Sequence, residues 1–235
     1  YNSRNHEYYS EDAVLTSGQA VAFISGGKEY GVIIAPKHLA FNDTEINRLG
    51  VSVFMTEQQA RENELRGTQA SIEDAGALGV MTAFNRVGIT AANAHTGLLK
   101  NILRGEWGFK GLESQDFIMN PNYAVLKEYA LNGGTMTTFT GENTMAAVSE
   151  KFAYWTTENV GQDTELMSAI KQAMTWQAYA LANSNALDGM ASSTRLVSVR
   201  TWYDNALVAV QVVFAALTVL AAAMYVLNDR KSKKQ

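Results

Sequence analysis

Ala206 to Leu227 is a run of 22 residues in which Gln211 and Thr218 are the only polar members. No other segment restricts the chain so tightly. At about 1.5 Å per residue a helix of this length covers roughly 33 Å, the depth of a hydrocarbon core. A helix also satisfies its own backbone groups where no water is at hand. Trp202 and Tyr203 stand just before the run, where an interfacial aromatic belt belongs, and Arg230, Lys231, Lys233 and Lys234 follow it. The positive-inside bias then gives a single-pass topology in the cell membrane. The expected layout is a transmembrane helix over 204–228, a basic cytoplasmic tail over 229–235, and residues 1 to about 200 on the outer face. Membrane lipid is one expected partner. The competing reading, a buried core helix, explains neither the length nor the charge asymmetry.

The formal net charge is −4, and without the last seven residues, 229–235, the body carries 15 basic against 22 acidic groups. An acidic body argues against nucleic acid as the partner. There are no cysteines, hence no disulfides and no thiol chemistry. The chain begins Tyr1-Asn2-Ser3-Arg4 with no initiator Met, which reads as a cut or a missing upstream region.

The remainder alternates between strand-like and helix-like patterns. Gly31 to Ala35, Gly79 to Phe84, Gly111 to Phe117 and Met136 to Phe139 read as strands. Thr56 with Gln59 resembles a capping box opening a helix that runs to about Ala75. Glu57/Arg61 and Glu62/Arg66 lie at the i,i+4 spacing of its wet face. Thr96 is expected to cap a second helix whose Leu98, Leu99, Ile102 and Leu103 share one side, with a stop at Gly105. Asn122 to Asn132 and Asp163 to Asn183 complete the helices, and 183–203 reads as a linker. Strand–helix alternation at this spacing implies βα units around a parallel sheet. The polar residues at the strand ends are Lys37-His38, Asn85-Arg86 and Asp116, the places where such sheets hold ligands.

At these strand ends the sequence resembles glycoside hydrolase family 3. The matching stretches are Arg4-Asn5-His6-Glu7-Tyr8-Tyr9-Ser10-Glu11-Asp12, Lys37-His38-Leu39-Ala40, Val80-Met81-Thr82-Ala83-Phe84-Asn85 and Leu103-Arg104-Gly105-Glu106-Trp107-Gly108-Phe109-Lys110-Gly111, with Asp116 at the spacing of the family's nucleophile. They cover roughly residues 1 to 145 in the family's order. The similarity is to the β-glucosidase-like, Gram-positive bacterial type in which a C-terminal membrane helix also occurs.

The resemblance implies an α/β domain over 1–182 that forms part of a (β/α)8 TIM-type barrel. It implies a retaining, exo-acting glycosidase of β-glucosides with a carbohydrate substrate, no cofactor and no metal. Asp116 would be the catalytic nucleophile, and Arg4, Lys37, His38 and Phe84 would contact the sugar. A ring of hydroxyls is oriented by fixed cationic donors, and a carboxylate beneath the anomeric carbon attacks it.

The sequence departs from the family at three places. Glu113-Ser114-Gln115 precede Asp116 where an apolar strand and Ser or Thr are usual, Phe84 stands where many members have Tyr, and His6 stands where Phe is usual. The second carboxyl that retaining chemistry needs belongs in the family to a separate α/β sandwich domain, expected here on the N-terminal side of this segment. The alternative kept open is a catalytically inactive, membrane-anchored sugar-binding or scaffold protein. Asp43 and Glu45 beside His38 also raise a metal site, but their spacing matches no strong ligand pattern and solvated loop acids are the preferred reading. Trp107 and Phe109 read as core.

Overall fold

A computed structural model describes residues 4–48, 50–83, 85–117, 125–138, 153, 155–190, 194, 195, 197 and 199–232. The chain divides into two compact units, Tyr1–Gly189 and Met190–Gln235.

The first unit opens with helix α1, Ala13–Glu29, whose N-cap Asp12 accepts a hydrogen bond from the Leu15 N–H at 2.6 Å. A side chain at the N-cap satisfies one of the donors a helix start leaves open. Three parallel strands follow in the spatial order β1 (Lys37–Leu39), β3 (Gly79–Thr82), β6 (Leu112–Gln115). β3 pairs with β6 in register from Gly79↔Leu112 to Thr82↔Gln115, and Met136 adds a bridge beside Ser114. Between these strands run α2 (Arg66–Glu73) and α3 (Gly97–Glu106), the latter wound as a π-helix. Beyond them lie α4 (Leu126–Leu131), α5 (Thr157–Gln162) and α6 (Thr164–Ala182). A smaller sheet joins β2 (Ser52–Val53), β4 (Arg86–Val87) and β5 (Thr90–Ala91). The core draws on every layer: Ile24 from α1, Leu39 from β1, Ile72 from α2, Val80 from β3, Leu99 and Leu103 from α3, with Trp107 and Phe109 after it.

Three local expectations are corrected. The first strand lies at Lys37–Leu39 and not at Gly31 to Ala35. Pro36 has no N–H to give, and the ladder to β3 starts from its carbonyl, which accepts from Met81 N–H at 3.1 Å. Thr96 does not cap α3: its own backbone is already helical, and the cap is the His95 ring, whose Nδ1 accepts from Leu98 N–H at 3.0 Å. The strand expected from Met136 is reduced to a single bridge, and its last residue, Phe139, lies outside the described residues. The helix expected from Asn122 is described from Leu126, and residues 118–124 also lie outside them. Thr56 does cap the turn Glu57–Gln59, accepting from Gln59 N–H at 3.2 Å, and Arg61 meets Glu57 at 2.9 Å.

The sheet is packed tightly enough to dictate residues. A Cβ on Gly111 would stand 2.2 Å from the Leu78 carbonyl oxygen, so only glycine lets the chain enter β6. Glu113, inside β6, is 0% exposed, and among the described residues neither of its carboxyl oxygens meets a donor in bonding geometry. The Tyr129 hydroxyl is committed to the Glu113 and Met136 backbone carbonyls. Burial pushes the Glu113 carboxyl up to about 7, against the opposing pull of Tyr129 and of the nearby Arg104 charge. The folded chain therefore holds a proton that the unfolded chain, with an ordinary value of 4.5, releases. The stability this proton carries is complete below pH 4.5 and is lost as pH rises through about 7. Glu113→Val is expected to abolish that decline and to be more stable than the wild type by about 2 kcal/mol at pH 8. Denaturant titrations at a series of pH values would reveal an unchanged slope if this account is wrong.

The second unit is dominated by α7, Trp202–Ser232. Its start is closed by a reciprocal pair: Asp204 accepts from the Thr201 N–H at 2.8 Å and hydroxyl at 2.6 Å, and Asp204 N–H donates back to the hydroxyl at 3.4 Å. Trp202–Asp229 has a mean hydropathy of 2.4 over its most apolar window, none of it buried by protein, and is long and apolar enough to cross a membrane.

Candidate active site

Because β1, β3 and β6 run parallel, their C-terminal ends open on one side of the sheet. The ladder continues one residue past β6, where Asp116 N–H donates to the Thr82 carbonyl at 3.1 Å, so the sheet itself fixes the Asp116 backbone. His38 in β1 reaches across β3, placing its Nε2 3.1 Å from Asp116 Oδ2, with side-chain exposures of 3% and 9%. The Phe117 N–H donates to the other oxygen, Oδ1, at 2.8 Å. For His38 to donate, its Nε2 must carry the proton, an assignment that follows from this contact. The peptide bonds Lys37–His38 and Leu39–Ala40 are both cis.

Burial alone would raise the Asp116 carboxyl, but the hydrogen bonds from His38 and Phe117, with the positive field of Arg48, bring it below its ordinary value of 3.8. Asp116 is thus a buried carboxylate that stays ionised at neutral pH, the state a nucleophile needs.

The other cations are arranged in a chain. Lys37 Nζ lies 2.6 Å from Glu7 Oε2, and the same oxygen lies 2.8 Å from Arg4 Nη2. Arg4 Nη1 is 2.7 Å from Glu45, whose second oxygen lies 3.0 Å from Arg48 Nη1. The Lys37 hydrogen bond, helped by Arg4 against a smaller burial penalty, holds the Glu7 carboxyl near 2, and Arg4 and Arg48 hold Glu45 low. His6 sits on the solvent side, 73% exposed and 3.7 Å from Glu7.

The structure therefore brings His38 directly to Asp116, and links Arg4 with Lys37 through Glu7. Phe84 lies outside the described residues. Arg48 is the residue that the sequence reading missed. The available signal was its place three residues after Glu45, in the loop that leaves the Lys37-His38 strand. Glu45, considered above beside His38 for a metal, takes two guanidinium groups instead, and Asp43 is half-buried with its carboxyl raised by desolvation. Among the described residues no group of three or more His, Cys, Asp or Glu is placed to hold a metal ion. A cavity of about 540 Å³ lies between α1, β1 and α2, with Tyr8, Lys37, His38, Asn42 and Glu64 in its walls. Asp116 is not among its lining residues, so it adjoins the strand-end site without containing its carboxylate.

A parallel βα domain with an ionised carboxylate just past one strand is an α/β fold, and its likeness to solved structures is of the TIM-barrel kind. Residues 1–153 match the glycosyl hydrolase family 3 N terminal domain, and the chain belongs to that family. It is 40% identical over 114 residues to a protein described as probable beta-glucosidase J of Emericella nidulans, an alignment covering 48% of this chain and 13% of that one. It is 38% identical over 116 residues to a beta-glucosidase of Rhizobium radiobacter, covering 49% and 14% respectively. Among solved structures it resembles beta-glucosidase 3B from Thermotoga neapolitana in complex with glucose, at a TM-score of 0.67 and 26% identity, over 79% of this chain and 26% of that one. The chain thus spans well under a third of the length of each of these relatives.

Proposed function

We propose that residues 1–182 are the nucleophile-bearing part of a TIM-type barrel in a retaining glycoside hydrolase that acts on β-glucosides. The observation that carries this is the buried Asp116 carboxylate, held ionised by His38 at the C-terminal ends of parallel strands. One Asp116 oxygen attacks the anomeric carbon, the bond from that carbon to the aglycone oxygen breaks, and a glycosyl ester forms. The departing oxygen takes its proton from a second carboxyl, supplied by a sandwich domain N-terminal to this segment. Water then attacks the same anomeric carbon, giving its proton to that group, now acting as base; the bond from the carbon to the Asp116 oxygen breaks and the free carboxylate is regenerated. Arg4, Lys37, His38 and Phe84 contact the sugar, and Arg48 joins them through its field at Asp116.

The reading extends to the membrane. Residues 204–228 span it once, 183–203 form the linker, and 229–235 form the cytoplasmic tail, leaving the catalytic domain extracellular. In that arrangement the chain resists alkaline carbonate extraction and is released by detergent; release by carbonate alone would argue against the span.

The catalytic reading is tested with an activated 2-deoxy-2-fluoro-β-glucoside bearing a dinitrophenolate leaving group, which departs without protonation. The expected result is one fluoroglucosyl group per chain, mapped by peptide mass to Asp116. The inactive sugar-binding reading, favoured by Glu113 and Gln115 where the family has apolar and hydroxyl residues, predicts glucose binding with no adduct.

A further inference from the structure

We propose that Glu7 and Glu45 are positioning residues that set the spacing of the three cations Lys37, Arg4 and Arg48 around the sugar seat beside Asp116. The inference rests on the glycosidase reading above. It starts from an alternation: Lys37, Glu7, Arg4, Glu45 and Arg48 form one continuous chain of contacts between 2.6 and 3.0 Å, each carboxylate bridging two cations.

Isolated surface ion pairs are worth little, because two long side chains lose their freedom for a screened attraction. This chain differs in two respects. The Arg4 side chain at its centre is only 9% exposed, so its charge is largely desolvated and depends on its partners. Each anion also serves two cations at once, so the three positive groups are held at fixed separations instead of repelling one another apart.

That arrangement has a consequence for binding. Lysine and arginine side chains are rich in rotamers and lose much entropy when fixed. If the sugar hydroxyls had to order three of them, much of the contact energy would be spent on the ordering. With Glu7 and Glu45 in place the donors stand ordered before the ligand arrives, and hydroxyls at matching positions are selected over others. The same cations lower both carboxyls, that of Glu7 to about 2.

The test uses the full chain in detergent micelles, with D-glucose as the calorimetric probe. Glu45→Gln is expected to weaken glucose binding about 10-fold, the loss of one charge-assisted hydrogen bond's ordering, and Glu45→Asp to recover part of it. Arg4→Met weakens binding as well, and in Arg4→Met with Glu45→Gln the two losses are expected not to multiply, because Glu45 acts through Arg4 and Arg48. Glu7→Gln is expected to reduce the preference for glucose over its monodeoxy analogues while leaving the melting temperature within about 2 °C. A Glu45→Gln variant that binds glucose like the wild type, or losses that multiply fully, would overturn the inference alone. A wild-type chain that neither binds glucose nor accepts the fluoroglucosyl label overturns the glycosidase reading, and this inference with it.

Discussion

Asp116→Ala is expected to lower kcat/KM for dinitrophenyl β-glucoside by about 10³-fold or more, the scale seen when a nucleophile is removed from a site that still binds. Dinitrophenolate leaves unaided, so the measurement does not depend on the acid/base group. The backbone hydrogen bond from residue 116 to Thr82 survives the change, so the strand end stays in place and the loss is chemical. Azide, small enough for the vacated space, should restore turnover by attacking the anomeric carbon from the Asp116 side and give the glycosyl azide of α configuration.

His38→Ala should act through the same carboxylate. Without the His38 hydrogen bond the burial effect dominates and the Asp116 pKa rises. A raised pKa leaves the nucleophile protonated to a higher pH, so the acid limb of the pH–rate profile moves upward. An Asp116→Ala variant that keeps its rate would end the assignment, whatever His38 does.

The largest expected effect on stability is at Arg104. This α3 guanidinium donates to the carbonyls of Phe109 and Gly111 at 2.9 Å and twice to Gly133, at 2.7 and 3.1 Å. Its face lies 3.8 Å from the Trp176 ring of α6 and 4.8 Å from the Phe109 ring. One side chain thus joins α3, the entry to β6, the end of α4 and α6. Burial lowers its pKa to about 10, which leaves it charged at neutral pH. Gly133 sits at φ +98°, and a Cβ there would stand 3.0 Å from Arg104 Cγ, so the approach is close as well as polar.

Arg104→Met would leave three carbonyls without these donors and is expected to cost about 4 kcal/mol. That corresponds to a fall of roughly 10 °C in the melting temperature of a domain this size. Arg104→Lys should rescue little, since a point charge cannot occupy a planar fork between two rings. Thermal unfolding of the full chain in detergent, with a fall below about 2 °C, would show that the hub carries no such weight.

Much of the frame was legible in the sequence because it depends on neighbours along the chain. The Thr56 cap, the buried stripe of Leu98, Leu99 and Leu103, and the stop at Gly133 follow from side-chain period and from backbone freedom, which act over a few residues. The strands at Gly79–Thr82 and Leu112–Gln115 were found for the same reason. The first strand was displaced because its pairing depends on where a partner offers hydrogen bonds, and a proline carbonyl settled that. The His95 cap was misassigned to Thr96 because either residue type can accept from the open N–H groups, and the local backbone angles chose.

At the site, the sequence by itself determined that Asp116 would follow a strand of a parallel sheet, whose C-terminal ends open on one side; Lys37 and His38, expected just after a strand, lie within β1 instead. Only the tertiary structure decided how they pair. His38 reaches Asp116 from two strands away, Glu7 captures Lys37 and Arg4 together, and Arg48 enters through Glu45. These are contacts between residues tens of positions apart, where Coulomb energy and desolvation depend on distance in space. The same physics separates Glu113 from Asp116: two carboxyls three residues apart, one fully buried and pushed up to about 7, the other bonded to an imidazole and a backbone N–H and held below its ordinary value.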